Sequence, residues 1–132
     1  MKTTTIRQGC MLLAPPQEVY TAWLSSKEHG TWTNDEAKIS KKIGGAFSTF
    51  GGYSSGKNIE LDPGKLIVQT WRAEDWPQNH FSTIKLELLP TPKGTKVLFT
   101  QTDVPANKAK SIAQGWKDYY WQPMKLYFSQ KE

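Results

Sequence analysis

Two histidines, one cysteine and twelve carboxylates are the groups in this 132-residue chain that could act as acid, base, nucleophile or metal ligand. His80 opens a predicted strand beside Trp76. It is placed to point into a cavity, where a neutral imidazole would serve as acid, base or hydrogen-bond donor. Tyrosine hydroxyls are the other polar groups available to such a cavity. His29, His80 and Cys10 form neither a helical zinc pair nor a triad signature. Asp35-Glu36, Glu74-Asp75 and Asp103 fall in predicted loops or at strand ends, where solvation accounts for carboxylates, and spacing brings no two of them together. The run Gly51-Gly52-Tyr53-Ser54-Ser55-Gly56-Lys57 nearly matches a phosphate-cradling loop. That loop needs a Ser or Thr after its lysine and a helix whose amino end faces the phosphates. Here Asn58 follows, and the next residues read as a strand. No catalytic residue, metal ligand or cofactor is therefore assigned, and the expectation is a protein that is not an enzyme.

Aromatic residues are the stronger signal. Six tryptophans exceed what a modest core needs, and an indole suits both cavities and binding surfaces because its body is apolar and its edge polar. Trp71, His80, Ile84, Phe99, Trp116, Tyr119 and Tyr120 are the expected lining of a cavity between sheet and last helix. Trp76, in a loop between strands, is expected to be partly exposed and available to a partner.

These residues need elements to hold them. The segment 6–13 alternates as a first strand. Pro15-Pro16 ends it, and Pro16 presets a helix over 16–24 whose buried stripe is Val19, Tyr20, Trp23 and Leu24. Ser25-Ser26 can cap a second short helix ending at Gly30. From residue 37 the period becomes two, with strands at 37–42, 46–50, 57–61, 65–72, 80–89 and 95–102. Gly44-Gly45, Gly51-Gly52, Asp62-Pro63-Gly64 and the 90–94 turn separate them. Links this short allow only an antiparallel meander. Ile84, Leu86 and Leu88 oppose Thr83, Lys85 and Glu87, so one sheet face is apolar and requires a cover. A helix over 107–129 provides it, carrying Ile112, Trp116, Tyr119, Tyr120, Met124, Tyr127 and Phe128 at three- and four-residue steps. Within it, Gly115 reads either as close approach to the sheet or as room for a ligand, and Pro123 predicts a kink.

The length suits one domain, 1–132, with a core of its own. A net charge of +5 rests on fifteen lysines and two arginines, scattered except for Lys41-Lys42. Lysine without arginine suits a solvated surface, or an acidic protein partner, better than nucleic-acid reading. Neither a signal peptide nor a spanning segment is present, so the expectation is a cytoplasmic protein with no membrane partner.

The order strand, two helices, meander, long terminal helix resembles the α+β helix-grip fold of the START and birch-pollen-allergen-like (SRPBCC) superfamily. Four segments narrow the resemblance: Gly44-Gly45-Ala46-Phe47; Ile67-Val68-Gln69-Thr70-Trp71-Arg72; Trp76-Pro77 with His80-Phe81-Ser82; and Gly115-Trp116-Lys117-Asp118-Tyr119-Tyr120-Trp121. Together they are similar to the carboxy-terminal-domain family of the activator of the 90-kDa heat-shock protein ATPase, here as a free-standing single domain. The resemblance implies a curved antiparallel sheet around a long terminal helix and a co-chaperone that binds the chaperone without chemistry. It leaves two alternatives: a carrier or sensor of a small apolar ligand, and a polyketide-cyclase-like cavity enzyme using His80 or a tyrosine.

Overall fold

A computed structural model describes residues 1–130. The first strand, β1 (Thr3–Leu12), leads into α1 (Pro16–Trp23), which starts with Pro16 in its first turn and Glu18 near its positive end. Helix α2 (Ser26–Thr33) is capped by Ser25, whose hydroxyl accepts the Glu28 N–H at 3.1 Å. This helix runs past the expected stop at Gly30. Asn34 takes the left-handed terminating conformation instead (φ 54°), while Gly30 admits the returning chain: a Cβ there would lie 2.9 Å from the Asp35 carbonyl oxygen.

Strands β2 (Lys38–Ile39), β3 (Ala46–Thr49), β4 (Ser54–Asp62), β5 (Leu66–Ala73), β6 (Ser82–Thr91) and β7 (Gly94–Pro105) complete a seven-stranded sheet in the order β1-β7-β6-β5-β4-β3-β2. Every neighbouring pair is antiparallel. The alternation read from sequence is obeyed: Ile84, Leu86, Leu88, Val97 and Phe99 are buried, while the residues between them reach the other face.

One strand is much shorter than expected and another is shifted by two residues. The span 37–42 keeps only Lys38–Ile39 in the ladder, because the chain beyond it folds around buried Asn58. The Asn58 amide donates to the carbonyls of Ser40 and Lys42 at 2.7 and 3.0 Å, and its backbone exchanges bonds with Gly44 and Gly45. Strand β6 starts at Ser82 and not His80, since Pro77 to His80 forms a turn closed by the His80 N–H on the Pro77 carbonyl (3.1 Å).

The near-match to a phosphate loop resolves as a 3-10 turn (Phe50–Gly52) running into β4, with Lys57 inside the strand. No helix follows Lys57, so the segment cannot cradle a phosphate in that manner.

The terminal cover is a helix in three parts. It comprises α3 (Ala109–Trp116), a π-helical stretch (Lys117–Trp121) and α4 (Gln122–Gln130). Pro123 has no N–H for the Tyr119 carbonyl, and the widened turn falls one turn ahead of it. The irregularity expected from the proline is therefore a π turn that turns Tyr120 and Trp121 together into the interior.

Candidate functional site

All six tryptophans are buried. Five rings pile up between the sheet and helices: Trp116 lies 4.6 Å from Phe99, 5.5 Å from Trp71, 5.9 Å from Trp121 and 6.4 Å from Trp23, and Trp32 lies 6.3 Å from Trp23 (centroid distances). Three indole N–H groups are met by glutamines standing in the apolar register of the strands. Trp23 donates to Gln69 (3.1 Å), Trp116 to Gln101 (2.7 Å) and Trp121 to Gln8 (2.6 Å). Each glutamine amide is used as well, on Asn58, Ser82 and the Ala113 carbonyl respectively. A buried indole without an acceptor costs about 1–3 kcal/mol. The pairs thus fix which tryptophan sits over which strand.

The interior is consequently closed. What remains beneath the helix, among Trp23, His29, Phe47, Gln69, Ile84 and Trp116, is a void of about 10 Å³, room for one water at most.

A larger hollow of about 420 Å³ opens at the mouth, where the 3-10 turn faces α3 and the π stretch. Phe50, Tyr53 and Tyr119 form its rim, Trp71, Trp116 and Tyr120 its floor, and Ser111, Ile112 and Gly115 the helical wall; Ser54 adds a hydroxyl. Gly115 does not mark close approach to the sheet. The nearest atom to a Cβ there would be a Tyr119 ring carbon at 3.9 Å, an ordinary contact. Gly115→Ala is therefore expected to raise stability by about 0.5–1 kcal/mol through helix propensity while narrowing the hollow; a loss of stability in urea unfolding would contradict the open wall.

Behind the floor runs a buried chain of hydrogen bonds whose direction is fixed at one end. The Trp23 carbonyl can only accept, so His29 Nδ1 carries the proton it shares with that oxygen (2.9 Å). His29 Nε2 is then bare and accepts from the Tyr120 hydroxyl at 2.7 Å. Nearby, buried Thr49 and Ser54 share a hydrogen bond in which either hydroxyl can donate. Burial outweighs the bond to Trp23 and pushes the His29 pKa down to about 4, which keeps the ring neutral. Burial likewise pushes the Tyr120 phenol far above its usual range, with Thr49 opposing. Ser54 borders the hollow, and its hydroxyl is the polar handle offered there.

The residues expected to line one cavity divide into three groups. Trp71, Trp116, Tyr119 and Tyr120 line the hollow, Tyr119 as a rim residue 58 % exposed. Ile84 and Phe99 do not: Ile84 borders only the small void, and Phe99 is sealed under Trp116 and Trp121. His80 is outside as well, half-buried against the Trp76 ring, with Nε2 on the Asp103 carbonyl at 2.8 Å. Trp76 was expected at the surface and is 4 % exposed. Arg72 donates to its carbonyl (2.8 Å), drawing the loop back and seating the indole on Trp71 at 5.3 Å. Sequence reading passed over His29, Thr49, Ser54 and the three glutamines.

Fold and site together define a helix-grip domain with a solid aromatic interior and a shallow mouth. The chain belongs to the family described as "Activator of Hsp90 ATPase homolog 1-like protein", whose model matches residues 13–129. It is 31 % identical over 116 residues to the human "Activator of 90 kDa heat shock protein ATPase homolog 1", covering 88 % of this chain and 34 % of that protein. The Dictyostelium discoideum homolog is 30 % identical over 128 residues, 96 % of this chain and 33 % of its own length. The chain thus spans about a third of the curated relatives it matches. Among solved structures, an Hsp90 activator from Plasmodium falciparum superposes with a TM-score of 0.85 at 22 % identity, covering 98 % of this chain and 97 % of that one. A protein from Chromobacterium violaceum gives 0.76 at 27 % identity over 93 % and 96 %. No helix among the described residues is long and apolar enough to cross a membrane.

Proposed function

We propose that this chain is a binding module of the co-chaperone type, which engages a 90-kDa heat-shock chaperone and biases its ATPase cycle while breaking no bond itself. The observation that carries the reading is the family match over residues 13–129, with relatives named as activators of that ATPase. The filled interior supports recognition over transformation, since a substrate has no enclosed volume to occupy. A module that binds the closed, hydrolysis-competent chaperone more tightly than the open one raises turnover by shifting populations. Adding the chain to a purified 90-kDa chaperone should raise the steady-state rate of ATP hydrolysis; an unchanged rate at saturating chain would remove the reading.

One observation favours a second reading, a small apolar ligand held at the mouth. The hollow of about 420 Å³ lies in the range of small-molecule pockets, with aromatic walls and the Ser54 hydroxyl. A ligand suited to it is flat, apolar and equipped with one hydrogen-bonding group. 2-Naphthol should bind about fivefold tighter than naphthalene, the difference one hydrogen bond makes. Equal affinities, followed by tryptophan fluorescence, would contradict a hydrogen bond to Ser54.

A further inference from the structure

We infer that the groove between β1 and the terminal helix is a docking site for an acidic, extended segment of a partner protein, which adds to the free edge of the sheet as a further strand. The inference deepens the binding-module reading and rests on it only in supposing a protein partner. Strand β1 ends the sheet order and pairs only with β7, so one row of its backbone N–H and C=O groups has no strand beside it. Along that edge, residues 4–9 form one wall of an open groove of about 740 Å³. The helix forms the other wall, with Ala113 and Trp121 among the residues facing the strand.

The charge of this groove is of one sign. Lys110, Lys117 and Lys125 recur at steps of seven and eight residues, two turns each, and so share one stripe. Arg7 borders the groove on the strand side, and no carboxylate lines it among the described residues. The two ion pairs among the described residues, Lys85–Glu87 and Lys108–Asp75, involve none of these four cations. An unpaired strand edge beside a row of cations fits a peptide that supplies main-chain partners to the strand and carboxylates to the lysines. A nucleic acid fits less well. Three of the four cations are lysines, the indole at the groove is buried and cannot stack on a base, and a phosphate backbone cannot continue a strand ladder.

The test uses the intact chain and a fluorescein-labelled peptide of about eight alternating threonines and glutamates, long enough to span residues 4–9. Anisotropy should show binding that weakens severalfold as salt rises from about 0.05 M to about 0.5 M, while the lysine counterpart of the peptide stays free. The exposed double substitution Lys110→Glu with Lys117→Glu should weaken binding about tenfold with an unchanged circular dichroism spectrum. Two further peptides, N-methylated on one or the other alternate set of amides, separate a ladder from mere charge. Only one set should abolish binding, because only alternate amides face β1. Equal effects of the two sets, no binding at all, or tighter binding of single-stranded DNA or anionic phosphatidylserine vesicles than of the acidic peptide would overturn the inference. Should the double variant still stimulate the chaperone fully while losing the peptide, the groove falls and the binding-module reading stands.

Discussion

Trp116→Ala is expected to cost about 3–5 kcal/mol, the range for removing a fully buried large aromatic. The ring touches Trp23, Trp71, Phe99, Tyr120 and Trp121, drawn from two helices and two strands, so no single neighbour can move in to fill the space. It also holds the Oε1 atom of Gln101, which is completely buried. Thermal unfolding should fall by roughly 10–20 °C for a domain of this size. Trp116→Phe separates the two contributions. It retains most of the apolar contact but leaves Gln101 without its donor, and should still cost about 1–3 kcal/mol. A phenylalanine variant as stable as the parent would show that the tryptophan–glutamine pairing holds nothing in register.

The second large effect is a dependence on pH. His29 sits near pKa 4 in the folded chain and near 6.5 when unfolded. Its stabilising contribution is complete above pH 6.5, where both states are neutral. As pH falls from 6.5 toward 4, the unfolded chain takes up a proton that the folded chain refuses, and stability declines by about 2–3 kcal/mol. Urea unfolding at pH 7 and pH 4.5 should show this loss in the parent and a clearly smaller one in His29→Gln, whose side-chain oxygen can still accept from Tyr120. The same loss in both proteins would mean that the imidazole is not held neutral by burial.

The sheet was legible because its alternation is clean. Ile84, Leu86 and Leu88 against Thr83, Lys85 and Glu87 fix a face, and the turn residues between strands leave no alternative to antiparallel neighbours. Where a side chain rearranges the backbone from a distance, alternation was a poor guide. Asn58 dissolves most of the 37–42 strand by bonding to Ser40 and Lys42, sixteen to eighteen residues away. Trp76 was misplaced for a similar reason, since a loop position suggests exposure and the Arg72 bond that folds the loop inward has no sequence signature.

The candidate site was half legible. Trp116 and Tyr120 announce themselves by helical spacing, yet the mouth they floor depends on a 3-10 turn in which Phe50 adopts a positive φ. A signal did exist for the glutamines. Gln8 and Gln69 stand between inward apolar residues and Gln101 follows inward Phe99, positions where a polar side chain survives only with buried partners. His29 carried none, because its partners Trp23 and Tyr120 lie six and ninety-one residues away.

Calorimetric titration of the chain into a 90-kDa heat-shock chaperone, with and without a non-hydrolysable ATP analogue, bears most directly on what this domain does. Recognition of the closed, nucleotide-bound state requires tenfold or greater preference for the analogue-bound chaperone, about 1.4 kcal/mol. Equal affinity for the two states, or no heat of binding to either, would contradict it.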